Sequence, residues 1–476
     1  MRRSFLTLLY IFTFILFFYF LSIDSLKLGF FADDISIFYD LRNSTFSSLF
    51  SKLETFDALR YFQIFNSFFF LKISNIYNIN FIHVIQIFVY FINSIILILI
   101  LKKLEIRNNI IILAWIFSLF FGMNYEVLFW AHNLSMTLVA STSFLIFFYL
   151  NICLKNKFDF KKNILNEMLI FIFAIYSILT YEQFIFGIYF IIFTRFILIN
   201  LSNKKLYSYF LISFYTFIIF LLIYFKLFFM EELDLSVNKD LRIIFKNFLI
   251  SILTPLKFIL SPINKRDIVT DNILVFSLSL LFLFCILKVN YLKDGYKKKY
   301  TNSSLFKSII FFLILYISLF LPLYFHYISP RHFYLPLFSM IIIFSLVGEK
   351  IYEIFYKKKI PLNILLMIYS ILLINNVLKI NYYKYQQIEN FMIKKDFYYN
   401  LLNLFPKITE INLVNFPEKY KKNMMFAHEQ GSVMKFLFDD KSPNVIIGDN
   451  DHNYDDVIKL LFINILDKKI IYKKIK

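Results

Sequence analysis

The chain has 476 residues, 59% hydrophobic and 17% charged, with a formal net charge of +19 and a mean hydropathy of +0.66. This composition excludes a soluble globule and defines a polytopic membrane protein, because each bilayer crossing uses about 20 apolar residues. It also removes the nucleic-acid reading of the positive charge, since Lys and Arg in a membrane protein gather in cytoplasmic loops.

The 66 Phe and 33 Tyr against only 7 Gly fit a biased, A/T-rich codon pool better than a cofactor box. Cys153 and Cys285 sit near expected cytoplasmic helix ends with no metal-ligand spacing around them. Met1-Arg2-Arg3 and the apolar run to Ile23 lack an Ala-x-Ala cleavage signature, so the run reads as a retained first helix.

Segmenting on bilayer thickness predicts about eleven transmembrane helices, near 4–23, 81–101, 108–123, 133–153, 164–180, 183–201, 207–229, 270–288, 308–325, 332–348 and 361–378. Alternate loops hold the positive charge: Arg2 and Arg3, Lys102 and Lys103, Lys161 and Lys162, Lys204 and Lys205, Lys297 to Lys299, and Lys357 to Lys359. That side is the cytoplasm, and the N-terminus lies on it.

Three longer segments then lie outside. The first, an outer loop over 24–80, carries the acidic pair Asp33-Asp34 and an amphipathic region from Phe46 to Lys72 suited to the membrane surface. The second, 230–269, contains the apolar patch Phe248 to Leu260 interrupted by Pro255, which fits an interfacial or re-entrant helix better than a crossing. In the third, 379–476, apolar runs shorten to strand length between Asn, Asp and Pro turns, and a small extracytoplasmic α/β domain is expected after the membrane domain 1–378.

Four polar clusters share the outer level. Asp33 and Asp34 offer a carboxylate placed to deprotonate an acceptor hydroxyl, though an Asp before Ile35-Ser36-Ile37 also serves as a helix N-cap. Glu126 and His132 flank the turn Tyr125-Glu126-Val127-Leu128-Phe129-Trp130-Ala131-His132-Asn133, where Tyr125 and Trp130 read as interfacial belt residues. Glu182 occupies the tight turn Thr180-Tyr181-Glu182-Gln183. Arg331, in His326-Tyr327-Ile328-Ser329-Pro330-Arg331-His332, is the one positive charge in the short outer turns. A guanidinium placed against the charge bias is suited to gripping phosphate, or to pairing with a neighbouring acid. His326 and His332 have no third ligand spaced to hold zinc, and no glycine-rich phosphate loop or Ser/His/Asp signature occurs.

Ala32-Asp33-Asp34 after helix one, Glu126-Val127-Leu128-Phe129-Trp130, Thr180-Tyr181-Glu182 and Pro330-Arg331-His332-Phe333-Tyr334-Leu335-Pro336 together resemble the GT-C membrane glycosyltransferases. The likeness is to protein O-mannosyltransferases and their bacterial relatives, and it covers roughly residues 1–380.

The resemblance implies a GT-C-like all-α fold in a bacterial inner membrane and transfer of a sugar from a polyprenyl-phosphate carrier to an extracytoplasmic acceptor. It assigns Asp33 or Asp34 as general base and Arg331 to the carrier phosphate, with Glu126, His132, Glu182, His332 and Tyr334 around the substrates. The adjacent Asp pair permits a divalent ion without requiring one. Ala131-His132-Asn133 stands where relatives often have Ser-Gly-Arg, and Tyr181 where Lys is common, so a divergent acceptor or sugar is expected.

The competing classes are a transporter or flippase of lipid-linked saccharides and a polymerase of them. A transporter needs charges or broken helices near the midplane, where this chain has few charges and little Gly.

Overall fold

The computed structural model describes residues 2–29, 38, 41–42, 44–53, 61–77, 79–154, 160–201, 216, 241–262, 302–325, 328–357, 362–404, 410–414, 419–420, 423–424, 444–447, 457–466 and 469–474. The membrane part is helical: α1 (Arg2–Ser22), α2 (Phe46–Leu53), α3 (Tyr61–Tyr77), α4 (Ile82–Lys103), α5 (Asn108–Leu119), α6 (Tyr125–Phe129), α7 (Val139–Leu154), α8 (Phe160–Thr180), α9 (Ile185–Leu201), α10 (Leu241–Leu260), α11 (Asn302–Phe320), α12 (Tyr334–Lys357) and α13 (Leu362–Leu404).

Among the described residues six stretches are long and apolar enough to cross a membrane: Ile82–Lys103, Asn108–Phe129, Leu134–Leu154, Leu241–Leu260, Ser303–Tyr324 and Pro330–Ile354. Leu165–Thr180 and Ile185–Leu198 are shorter apolar helices. The expected spans 207–229 and 270–288 lie outside the described residues except for residue 216.

Local chemistry sets the helix ends. Lys102 and Lys103 complement the negative end of α4. Glu105 then enters the left-handed region at φ 59. Crossed bonds from Glu105 N to Lys102 O (3.0 Å) and Ile106 N to Leu101 O (3.1 Å) close the helix.

α5 starts against a buried ion pair, in which Glu349 accepts the Arg107 backbone N–H at 2.6 Å and faces its Nε at 3.2 Å. A second buried pair, Arg195 with Glu167, joins α9 to α8. Both pairs are near the end of the bundle opposite the outer turns.

α4 packs between α5 and α7, α5 meets α12, and α11 meets α9 and α12. The region from Phe46 to Lys72, expected on the membrane surface, forms α2 and much of α3. α3 packs into the bundle: Phe62 stacks on Tyr176 with ring centroids 4.7 Å apart, and the Ser67 hydroxyl donates to the Ser135 Oγ at 2.7 Å.

α10 is one helix straight through Pro255. Near its start Asn247 Nδ2 donates to the Tyr324 carbonyl (3.0 Å) at the outer end of α11. Near its finish Phe258 meets Phe121, just beyond α5, at 6.5 Å. A crossing of 20 residues separates its ends by about 30 Å along the membrane normal. Asn247 and Phe258, about 16 Å apart along the helix, both meet helix ends on the same side of the bundle, although by length and composition α10 is also one of the six stretches that could cross a membrane.

α13 runs 43 residues through position 379, where the membrane domain was expected to end. Beyond it, β1 (Glu410–Val414), β4 (Asn444–Ile447), β5 (Val457–Leu466) and β6 (Lys469–Lys474) form a sheet in the order β4-β1-β5-β6. β2 (Lys419–Tyr420) and β3 (Asn423–Met424) form a separate antiparallel pair. β1 is parallel to β4 and β5, and β6 is antiparallel to β5. α13 packs on β6, with Phe397 edge-on to Tyr472 at 5.4 Å.

Candidate functional site

The outer turn between α5 and α7 is pinned from below by polar side chains of α4. Gln86 Nε2 donates to the carbonyls of Val127 (2.6 Å) and Trp130 (2.7 Å). The Tyr90 hydroxyl donates to the Ser118 carbonyl at 2.7 Å and accepts from Asn124 Nδ2 at 2.7 Å. A one-turn π-helix, Leu134–Leu138, follows the turn. Such bulges often occur at functional positions because they re-aim neighbouring side chains. Here the Ser135 hydroxyl donates back to the His132 carbonyl at 2.9 Å, which fixes the histidine.

The second half of the site is the 3₁₀ turn Pro330–Phe333 at the start of α12, with Pro at its first position and a reciprocal cap between Ser329 and His332. The Ser329 backbone N–H donates to His332 Nδ1 at 2.9 Å. Gln183 Nε2 donates to the His332 carbonyl at 2.9 Å, and Tyr181 stacks on the His332 ring at 6.3 Å.

Three expected site residues meet where the two turns touch. Arg331 donates its backbone N–H to Glu126 Oε2 at 3.2 Å, and its Nη1 lies 3.1 Å from His132 Nε2. A guanidinium has no acceptor, so Nε2 accepts and the ring proton sits on Nδ1. Glu126 and His132 are buried, and Glu126 also receives the Tyr125 hydroxyl at 3.4 Å. Two N–H donors beside this cluster, Arg331 Nε and Trp130 Nε1, are buried without a partner. The indole of Trp130 lies 5.9 Å from the His132 ring. A cation with a spare donor, a second spare donor and a fixed imidazole make a place where an oxyanion would find hydrogen bonds.

The other expected residues are placed differently. His332 is buried and acts as a cap. Tyr334 is buried in the bundle, where its hydroxyl receives Asn93 Nδ2 at 3.2 Å and its ring lies 5.5 Å from Tyr90. Glu182 opens the 3₁₀ turn Glu182–Phe184. Asp33, Asp34 and His326 lie outside the described residues. Among the described residues no group of three or more His, Cys, Asp or Glu is arranged to hold a metal ion.

Reading the sequence alone misses Gln86, Gln183 and Tyr383, which build this end of the molecule. Tyr383 of α13 stacks on Tyr125 at 3.9 Å, beside Glu126. Its signal, a Tyr pair at 382–383 in a polar stretch, is indistinguishable from the general tyrosine excess.

No protein-family model matches the chain, and neither does any curated protein or solved structure.

Proposed function

We propose that the chain is an integral-membrane glycosyltransferase that moves a sugar from a polyprenyl-phosphate carrier to an extracytoplasmic acceptor. The observation that carries the reading is Arg331, set against Glu126 and His132 with its Nε unpartnered. In this reading the carrier phosphate docks on Arg331, and Asp33 or Asp34 from the outer loop takes the acceptor's proton. The acceptor oxygen then bonds to the anomeric carbon while the carbon–oxygen bond to phosphate breaks and its electrons leave with the phosphate, which inverts the anomeric centre.

A lipid-linked donor explains why the site is at a membrane face. The carrier stays in the bilayer because each buried CH2 is worth about 0.8 kcal/mol, so the chemistry must come to it. The test is a transfer assay in membranes with a panel of radiolabelled polyprenyl-phosphate sugars. Wild type should transfer one of them, and Arg331→Ala and at least one of Asp33→Asn and Asp34→Asn should not. Full transfer by both Asp variants would remove the general-base assignment, and transport without transfer in wild type would replace the enzyme with a flippase.

A further inference from the structure

Helix α10 is built inside out. The side turned to the protein holds Asn247, Ser251 and Pro255 with Ile259, all buried. The Ser251 hydroxyl shares a hydrogen bond with the Tyr324 hydroxyl (3.2 Å), and the Ser251 carbonyl accepts the Tyr316 hydroxyl at 2.6 Å. The side turned away is apolar and large: Leu241 is 79% exposed, Phe245 62% and Leu260 69%.

That outward side also carries cations. At 3.6 residues per turn Arg242, Lys246 and Lys257 fall within roughly 60° of one another, along one flank. All three are exposed. With Phe245, Leu249 and Leu253 they line a shallow groove of about 300 Å³. A helix lying in the plane of a membrane has this pattern, with apolar side chains sunk among acyl chains and long cationic ones reaching back to phosphates. The contacts of Asn247 with the end of α11 and of Phe258 with the end of α5 fit a helix lying along that end of the bundle.

We propose that the outward face of α10 is a docking surface for anionic phospholipids of the outer leaflet. Acyl chains cover Phe245, Leu249 and Leu256, and headgroup phosphates rest on Arg242, Lys246 and Lys257. A basic residue near an anionic surface is worth roughly fivefold in affinity, so three together amount to on the order of a hundredfold. The surface stands independently of the transferase reading.

The test uses the full chain in nanodiscs of phosphatidylcholine mixed with phosphatidylglycerol, extracted into detergent, with retained lipid measured by mass spectrometry. Wild type should retain phosphatidylglycerol selectively and lose it as salt is raised. The triple variant Arg242→Gln, Lys246→Gln, Lys257→Gln should lose that selectivity. Lys246→Arg with Lys257→Arg should keep it, as should Lys102→Gln with Lys103→Gln at the other end of the bundle. Equal retention of both lipids by wild type, salt-insensitive retention, or unchanged selectivity in the triple variant would overturn the proposal. The salt series on wild type decides the matter even if the triple variant fails to fold.

Discussion

Arg331 Nη1 lies 3.1 Å from His132 Nε2, across 199 residues of sequence, and this contact holds the guanidinium over the turn that carries Glu126. Replacing His132 by Ala should leave Arg331 free to swing. A hydrogen bond to a charged group contributes about 1.5–3 kcal/mol, so transfer from a polyprenyl-phosphate sugar should fall by roughly ten- to a hundredfold, chiefly through weaker donor binding. His132→Gln, which keeps an acceptor on a side chain, should recover part of it. The check is donor affinity and initial rate for the three proteins side by side.

Glu126→Ala removes the acceptor for the Arg331 backbone N–H and should cost about 1–3 kcal/mol of stability. Glu126→Gln keeps an oxygen there, so it should cost less stability while removing the negative charge beside Arg331. Melting in detergent, measured together with donor affinity, separates the two: a charge that tempers anion binding makes Glu126→Gln bind donor more tightly than wild type.

The pair Arg195 and Glu167 is buried at both ends. Arg195→Met or Glu167→Gln alone leaves a buried charge without its partner and should destabilise the chain by about 3–5 kcal/mol. The double variant Arg195→Met, Glu167→Leu should recover most of that loss. Thermal melting of wild type, Arg195→Met, Glu167→Leu and the double variant closes the cycle and gives the coupling.

Gly122 sits where α5, α10 and α13 converge. Its N–H donates to Asn376 Oδ1 at 3.1 Å, and a methyl on its α-carbon would meet Phe258 Cε1 at 2.7 Å. Gly122→Ala must displace the Phe258 ring, with an overpacking cost of about 1–3 kcal/mol. Gly122→Ala with Phe258→Leu should restore the melting temperature, and failure to do so would show that the strain lies elsewhere.

Lys384 of α13 donates to the carbonyls of Phe20 (3.4 Å) and Leu21 (3.2 Å) at the end of α1. Burial lowers its pKa from 10.5 to about 8, against a smaller upward pull from Asp24. Asp24 is itself tied to α13, because it accepts the Tyr385 hydroxyl at 3.0 Å. Between pH 8 and 10.5 the unfolded chain therefore binds more protons here than the folded one, so stability should rise with pH across that window. Lys384→Met should flatten that rise in a melting series.

The helical character, with stretches long enough to span a membrane, was legible because a crossing needs a continuous apolar run, and α4, α5 and α12 each supply one. That Glu126, His132 and Arg331 belong to one end of the bundle was legible too, since charge asymmetry alone sorts loops into two sets. Their mutual contact was not, because residues 126 and 331 meet through helix packing that leaves no periodic trace. The roles of Lys379 and Lys384, in the stretch expected to belong to the C-terminal domain, were hidden for a related reason. Lys379 donates to the Phe258 carbonyl, 4.6 Å from that residue's ring, so both lysines close the ends of helices lying far away in sequence. A lysine used as another helix's cap looks in the sequence like a solvated one. His332 and Tyr334 show the converse: a motif marks the turn as special, yet these two side chains serve its folding.

A helix of 43 residues extends about 65 Å, and α13 makes that distance without a break. About 20 residues suffice to cross a bilayer, so α13 is roughly twice as long as a crossing requires. Along its length Asn376 holds Gly122, Lys379 holds the end of α10, Tyr383 lies on Tyr125, Lys384 holds the end of α1, and Phe397 bears on the sheet. One unbroken helix thus touches the sheet and the neighbouring ends of α1, α5 and α10.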